Sequence, residues 1–335
     1  MQTTLLTIGI ALILALVTAL VGPLFVDWGR FRTDFETRAS RIAGQPVQIT
    51  GAIDVRLLPI PSVRVQGINV GPADAAPVLG ARGLDAELSL ASLMRGELRA
   101  TVVHIDGPYV AVERDRDGRA SGPAIAAAGD VTIDRIAVSD GRVSLADANS
   151  GAKAVLQNVS FAGEVRAPVG PIRGAGAFVV ENQSFNYRIA TSRSAGDGAK
   201  LSLAIDPADR PLTIETEGML TLADDTPRFD GNLVLTRPAG LALSSGKTVA
   251  SDPWRIESKL KIDPALALFE QVDFQYGPDE RAVRLTGTAE LKFGAGARLN
   301  SVLSARQIDL DRALAATDAA SRHPLAALRL SLIHI

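Results

Sequence analysis

From Val47 onward, apolar and polar residues alternate along most of the chain. In "DVRLLPIPSVRVQGINV" (54–70), Val55 and Leu57 share one parity, and so do Val63 and Val65 beyond a Pro59-Ile60-Pro61 corner. Period two sends successive side chains to opposite faces of a strand, so the stretch predicts a strand pair with one apolar face. The corner suits proline, because donors to the ladder are dispensable there. Gln66-Gly67 shifts the parity, and a bulge would return Ile68 and Val70 to the same face. The alternation continues through "GLDAELSLASL", "GELRATVVHIDGPYVAVERDRDGRAS" and "DVTIDRIAVSDGRVSLADANSGAKAVLQNVSFAGEVRAP". Within the last of these, Asp140-Gly141 carries the composition of a hairpin turn. Further strands are predicted at Phe178–Val180, Phe185–Ile189, Leu201–Ile205, Leu212–Glu215, Met219–Leu222 and Phe229–Leu235. Trp254–Ile262, Val272–Tyr276, Val283–Leu291 and Leu299–Leu303 complete the series. Helical interruptions are short: Leu90–Met94, Pro264–Phe269 and Leu310–Ala320. "SGPAIAAAG" (121–129) is a small-residue linker between a first β region, 45–120, and a second, 130–329. Turns at such regular spacing ordinarily signal a sandwich or a barrel, and no repeat period stands out.

The pattern before Val47 is different. Residues 1–26 carry no charged side chain. Leu5 to Val26 as a helix would be roughly 33 Å long, enough to cross a hydrocarbon core of about 30 Å. A cleaved signal peptide would begin with basic residues and close on a small-x-small site, and neither is present. A transmembrane anchor is therefore expected. In 27–44, Trp28, Phe31, Phe35, Ala39 and Ile42 recur at spacings of three and four, one stripe of an amphipathic helix. Gly44 and Pro46 supply its stop. The helix would pack on the following sheet, and Trp28, Phe31 and Phe35 would also suit a membrane interface. Arg30, Arg32, Arg38 and Arg41 all follow the span. Counted literally, they would hold the body in the cytoplasm, a rule that weakens for long translocated domains.

Composition removes most chemistry. Of 335 residues, 47% are hydrophobic but only 4% aromatic, and the formal net charge is -2. Neither a basic field nor a stacking surface for nucleic acid follows. The absence of cysteine excludes disulfides, thiol nucleophiles and thiolate metal sites. His104 lies within a strand, His323 in the last predicted helix and His334 in the tail; no pair has zinc-ligand spacing. Asp115-Arg116-Asp117-Gly118 is a turn and not a calcium loop, because its twelfth position is Ala126. Gly174-Ala-Gly176 and Gly294-Ala-Gly296 are bulge or turn glycines and lack the third glycine of a nucleotide loop. Asp54, Asp106, Asp130, Asp140, Asp224 and Asp225 sit at turns, where Asx geometry accounts for them. No catalytic residue, cofactor or metal site is predicted. "LSLIHI" (330–335) departs from the local style and is read as an adapter-derived tail, with the chain as part of a longer protein.

The segment "VDWGRFRTDFETRASRIAGQPVQITGAIDVRLLPIPSVRVQGINVG", entered from an apolar span, resembles the opening of the AsmA-like envelope proteins of Gram-negative bacteria. "ARGLDAELSLASLMRGELRATVVHIDGPYVAVERDRDGRAS" is similar to that family's alternating strand, turn and hairpin, and "APVGPIRGAGAF" and "SARQIDLDRAL" also match its style. Ala120-Ser121 stands where the family often has Asn-Trp. The resemblance implies an inner-membrane anchor, a periplasmic body and a long, curved antiparallel sheet with an apolar groove. It also implies a role in carrying phospholipid between membranes or in outer-membrane assembly. The physical pattern leads the same way. A long one-sided sheet cannot leave its face in water, since burial is worth about 25 cal/mol per Å². Ile53, Val55, Leu57, Val63, Val65, Leu88, Val110 and Val112 are the predicted groove residues. Phospholipid acyl chains are the expected partner, with envelope proteins bound to the sheet as the alternative.

Overall fold

Asp27 accepts a hydrogen bond from the Gly29 amide at 3.1 Å and caps a 3-10 turn, Trp28–Phe31. The chain runs on into helix α1, Arg32–Ala43, which Gly44 ends at φ 69°, the left-handed conformation glycine adopts freely. The predicted single helix is thus two pieces, preceded by another 3-10 turn at Gly22–Phe25. The computed structural model describes residues 20–305 apart from 72–78, 115–119, 122–131, 149–150, 152, 166–170, 194–197, 224–225, 241–251, 278–281 and 294–295. Most of the expected anchor, most of the 121–129 linker, the Leu310–Ala320 helix and the 330–335 tail lie outside the described residues. Among those residues, no helix is long and apolar enough to cross a membrane.

The rest is strand. In the first part these are β1 (Val47–Ile49), β2 (Ile53–Arg56), β3 (Ser62–Val70), β4 (Leu79–Leu88), β5 (Arg99–Asp106), β6 (Tyr109–Arg114), β7 (Ala120–Ser121) and β8 (Thr132–Asp147). Then follow β9 (Lys153–Val165), β10 (Ile172–Val180), β11 (Gln183–Arg193), β12 (Gly198–Pro207) and β13 (Thr213–Ala223). The series ends with β14 (Thr226–Arg237), β15 (Trp254–Ile262), β16 (Leu266–Tyr276), β17 (Val283–Lys292) and β18 (Arg298–Ala305). A one-turn helix α2, Leu90–Leu93, joins β4 to β5, its Ser89 hydroxyl accepting from the Ser92 amide. All 18 strands belong to one sheet.

From β8 to β18 each strand pairs antiparallel with the next. The first part is less regular. β3 pairs with β1 and β2 on one side and β4 on the other. β5 and β6 form one interrupted strand: Arg99↔Thr132, Asp106↔Ser139, Tyr109↔Arg142 and Arg114↔Asp147 hold one register against β8 across Gly107-Pro108. That pairing is parallel, so the sheet is mixed where an antiparallel one is expected. Parallel neighbours need a crossover, and β7, which follows β6 in the chain, already pairs antiparallel with it.

One predicted hairpin turn and one predicted helix are overturned. Asp140-Gly141 is no hairpin; β8 passes straight through it with a break in register between Val138 and Gly141 against β9. Asp140 has φ 53°, a conformation that serves a bulge as well as a turn. Pro264–Phe269 is not a helix either: Asp263 accepts from the Ala265 and Leu266 amides at 2.8 and 2.9 Å. This Asx turn closes a hairpin, and β16 starts at Leu266.

Left-handed residues align across the first part. Gly67 (φ 63°) in β3 is level with Arg82 in β4; Gly107 (53°) is level with Asp140, and Asn158 (49°) follows in β9. Arg82 ties the line together, donating to Asp106 at 3.0 Å and Asp140 at 3.1 Å. Asp and Asn tolerate this conformation better than other non-glycine residues. The result is a line of left-handed positions running from β3 to β9.

Candidate functional site

Directly paired residues share a face, so the ladders define the two surfaces of the sheet. One chain of direct partners begins Ile53↔Val65↔Leu84↔Ile105↔Val138↔Phe161. It continues Gly176↔Tyr187↔Ile205↔Ile214↔Leu235 and ends Ile256↔Phe274↔Leu285↔Ala305. The row crosses fifteen strands without a charged side chain. At strand spacings of about 4.8 Å it is roughly 67 Å long. The adjacent row, on the opposite face, runs Arg188↔Ala204↔Glu215↔Val234↔Glu257↔Asp273↔Thr286 across β11 to β17.

The apolar row is covered unevenly. At its start Ile53 and Val65 are each 6% exposed, clustered with Ile49 under Trp28 and Phe35. Val55, Val63 and Ile68 pack around that cluster, which puts Ile68 back on the apolar side after Gly67. Helix α1 also saturates the outer edge of β1: Ser40 accepts from the Val47 amide and Glu36 from the Ile49 amide, both at 2.8 Å. From Leu84 to Ala305 every member of the row is half-buried, while Phe229, Leu260 and Ala267 form a buried cluster elsewhere on these strands. A second layer packed on the sheet would bury such residues fully. Among the described residues none does so.

Bulky rings on this face lie across glycines. The Phe229 ring sits over the paired Gly218 and Gly231, Phe161 over Gly163 and Gly174, and Tyr187 beside Gly176. A Cβ at Gly218 would stand 2.8 Å from the Phe229 ring and 2.4 Å from the Asp230 carbonyl. The Gly174-Ala-Gly176 fragment is therefore a seat for rings. The Tyr187 hydroxyl donates to the Ser160 carbonyl at 2.9 Å, and burial raises its pKa. On the opposite face Tyr109 lies over Gly80 and donates to Asn69 Oδ1 at 2.9 Å. Glycine spacing opposite aromatic residues was the sequence signal for this device, and it is legible only once the register is known.

The remaining predicted positions are placed as follows. Val110 pairs with Leu79 and Val143, Val112 with Leu145, and Leu88 with Ala100. Leu57 lies just beyond β2 and is exposed. Phe31 is exposed, with its ring 6.0 Å from that of Trp28. His104 pairs with Asp85 and Ala137 on the polar face and is exposed. No group of three or more potential ligands among the described residues could hold a metal ion. A hollow of about 520 Å³ on the polar face is lined by Glu164, Arg173, Lys200 and Glu217, in which Lys200 and Glu217 are ion-paired.

A family model described as the AsmA family matches residues 2–204, more than half of the 335-residue chain. The chain belongs to the AsmA family. No curated protein and no solved structure matches it. The AsmA match ends within β12. The apolar row keeps its character through β13 to β18, so the surface extends past the matched segment without a change of pattern.

Proposed function

We propose that the apolar face is a conduit for phospholipid acyl chains in the Gram-negative envelope. The protein would support phospholipid movement between inner and outer membranes, or outer-membrane assembly, without catalysing a reaction. The single observation that carries this reading is the fifteen-strand apolar row, half-buried over most of its length. Apolar surface of this extent requires a cover. The sheet's own twist and curl would supply part of it and lipid tails the remainder. Tails are recognised by apolar area and need no fixed polar ligand, in keeping with a surface of aliphatic side chains and recumbent rings. AsmA membership supports the envelope setting. Residues 1–26 would anchor the chain in the inner membrane, with the body in the periplasm in spite of the arginines that follow the span.

Photoreactive amino acids at Ile205 and Leu235 test the conduit, with Arg188 and Glu215 on the opposite face as controls. Irradiation in cells should attach labelled phospholipid at Ile205 and Leu235 and not at the controls. Equal capture on both faces, or none on the apolar face, would sink the reading. Protein adducts in place of lipid would favour an assembly factor that docks envelope proteins on this sheet.

A further inference from the structure

The β2–β3 and β4–β5 turns lie side by side at one end of the sheet. The Leu88 amide donates to the Pro61 carbonyl at 2.7 Å, and Ser62 pairs with Glu87. Together the two turns expose Leu57, Ile60, Leu90, Met94 and Leu98. Met94 is 83% exposed and Ile60 52%. Residues 57–61 carry no charge, and in the second turn Arg95 and Glu97 pair with each other at 3.1 Å. That second turn is a closed structure: Ser92 is buried, its carbonyl accepts from the Arg95 and Glu97 amides, and the Leu93 carbonyl accepts from Gly96. Leu90 and Met94 are therefore held outward by a built turn.

The chain enters beside β2, the strand that leads into the first of these turns. The 3-10 turn Gly22–Phe25 contacts β2, and Phe25 is 85% exposed. The uncharged stretch 1–26 leads directly into it. Its last turn thus lies against the strand that ends in the first of the two exposed turns. Five side chains on two turns fall well short of the roughly 800 Å² per partner that a stable protein interface buries. A few apolar side chains next to an anchor suffice for interfacial insertion.

We infer that the two turns form a membrane-docking tip that sets Ile60, Leu90 and Met94 into the surface of the bilayer entered by residues 1–26. The inference rests on the membrane-tethered conduit reading and adds the place where the apolar face meets its lipid source: Ile53, the start of the row, is on the strand that runs into Leu57.

The chain has no cysteine, so single cysteines at Met94 and Ile60 can carry an environment-sensitive fluorophore. Asn182, in the β10–β11 turn at the opposite end of the sheet, is the control. The full chain is reconstituted into phosphatidylethanolamine–phosphatidylglycerol vesicles containing a headgroup-proximal spin-labelled lipid. Fluorophores at 94 and 60 should shift to the blue and lose emission to the spin label, while the one at 182 stays open to iodide. If positions 94 and 60 behave like 182, the docking tip is wrong. Lipid capture at Ile205 in the same preparation separates the two proposals. Capture without quenching removes only the tip, and quenching without capture removes only the conduit.

Discussion

Strands β1 to β8 and strands β9 to β18 share one alternating code and one apolar face, but they cover that face differently. In the first part α1 closes over Ile49, Ile53 and Val65, Glu36 and Ser40 occupy the edge of β1, and Arg82 ties together a line of left-handed residues that crosses the strands. The second part is a plain meander in which each strand pairs with its sequence neighbours, and its main buried cluster is Phe229, Leu260 and Ala267. The difference teaches that the same pattern can make either a small closed core or an open surface. What decides is whether an amphipathic helix is at hand to lie on it. A meander whose strands touch only their neighbours should also distribute its stability strand by strand, as repeat arrays do.

The sharpest way to break this comparison is Ile53→Asp. A carboxylate beneath Trp28 and Phe35 would stand in an apolar cluster, and the loss is expected on the order of 4 kcal/mol. Hydrogen exchange should accelerate in α1 and β1–β3 while β12–β16 keep their protection. Equal acceleration in both regions would mean one cooperative unit. Phe229→Ala should cost about 3 kcal/mol, because it removes a buried ring and uncovers Gly218 and Gly231. Its effect on exchange should stay within β13–β15. Leu235→Asp, on the open part of the row, should lower stability by only about 1–2 kcal/mol yet cut lipid capture at Ile205.

The smallest expected effect is alkaline. Burial lifts the Tyr187 pKa above its usual value, so the folded state favours the neutral phenol. That contribution is complete below the unfolded value of about 10 and is lost as pH rises through the raised folded value. Burial also raises the pKa of Tyr109 and Tyr276, so absorbance titration should show late phenolate formation whose amplitude Tyr187→Phe reduces without abolishing.

Much of this was legible along the chain. The stripe of Trp28 and Phe35 gave the helix its buried side, Gly44 and Pro46 marked its stop, and Gln66-Gly67 marked the change of parity, because each signal acts within a few residues. Asp140-Gly141 and Pro264 misled for a physical reason. A left-handed Asp-Gly serves a hairpin or a bulge equally, and a proline after aspartate can open a helix or close a turn. Only the neighbouring strand chooses between them.

By itself, then, the sequence determined a one-sided β chain and an uncharged entry segment, both properties of local periodicity and composition. The tertiary structure decided which residues stand opposite one another. It set the parallel junction of β5 and β6 with β8, the burial of Ile53 and Val65 under α1, the rings laid over glycines and the unbroken apolar row. Cross-strand register depends on partners that are distant in sequence, and no window along the chain contains both halves of a ladder.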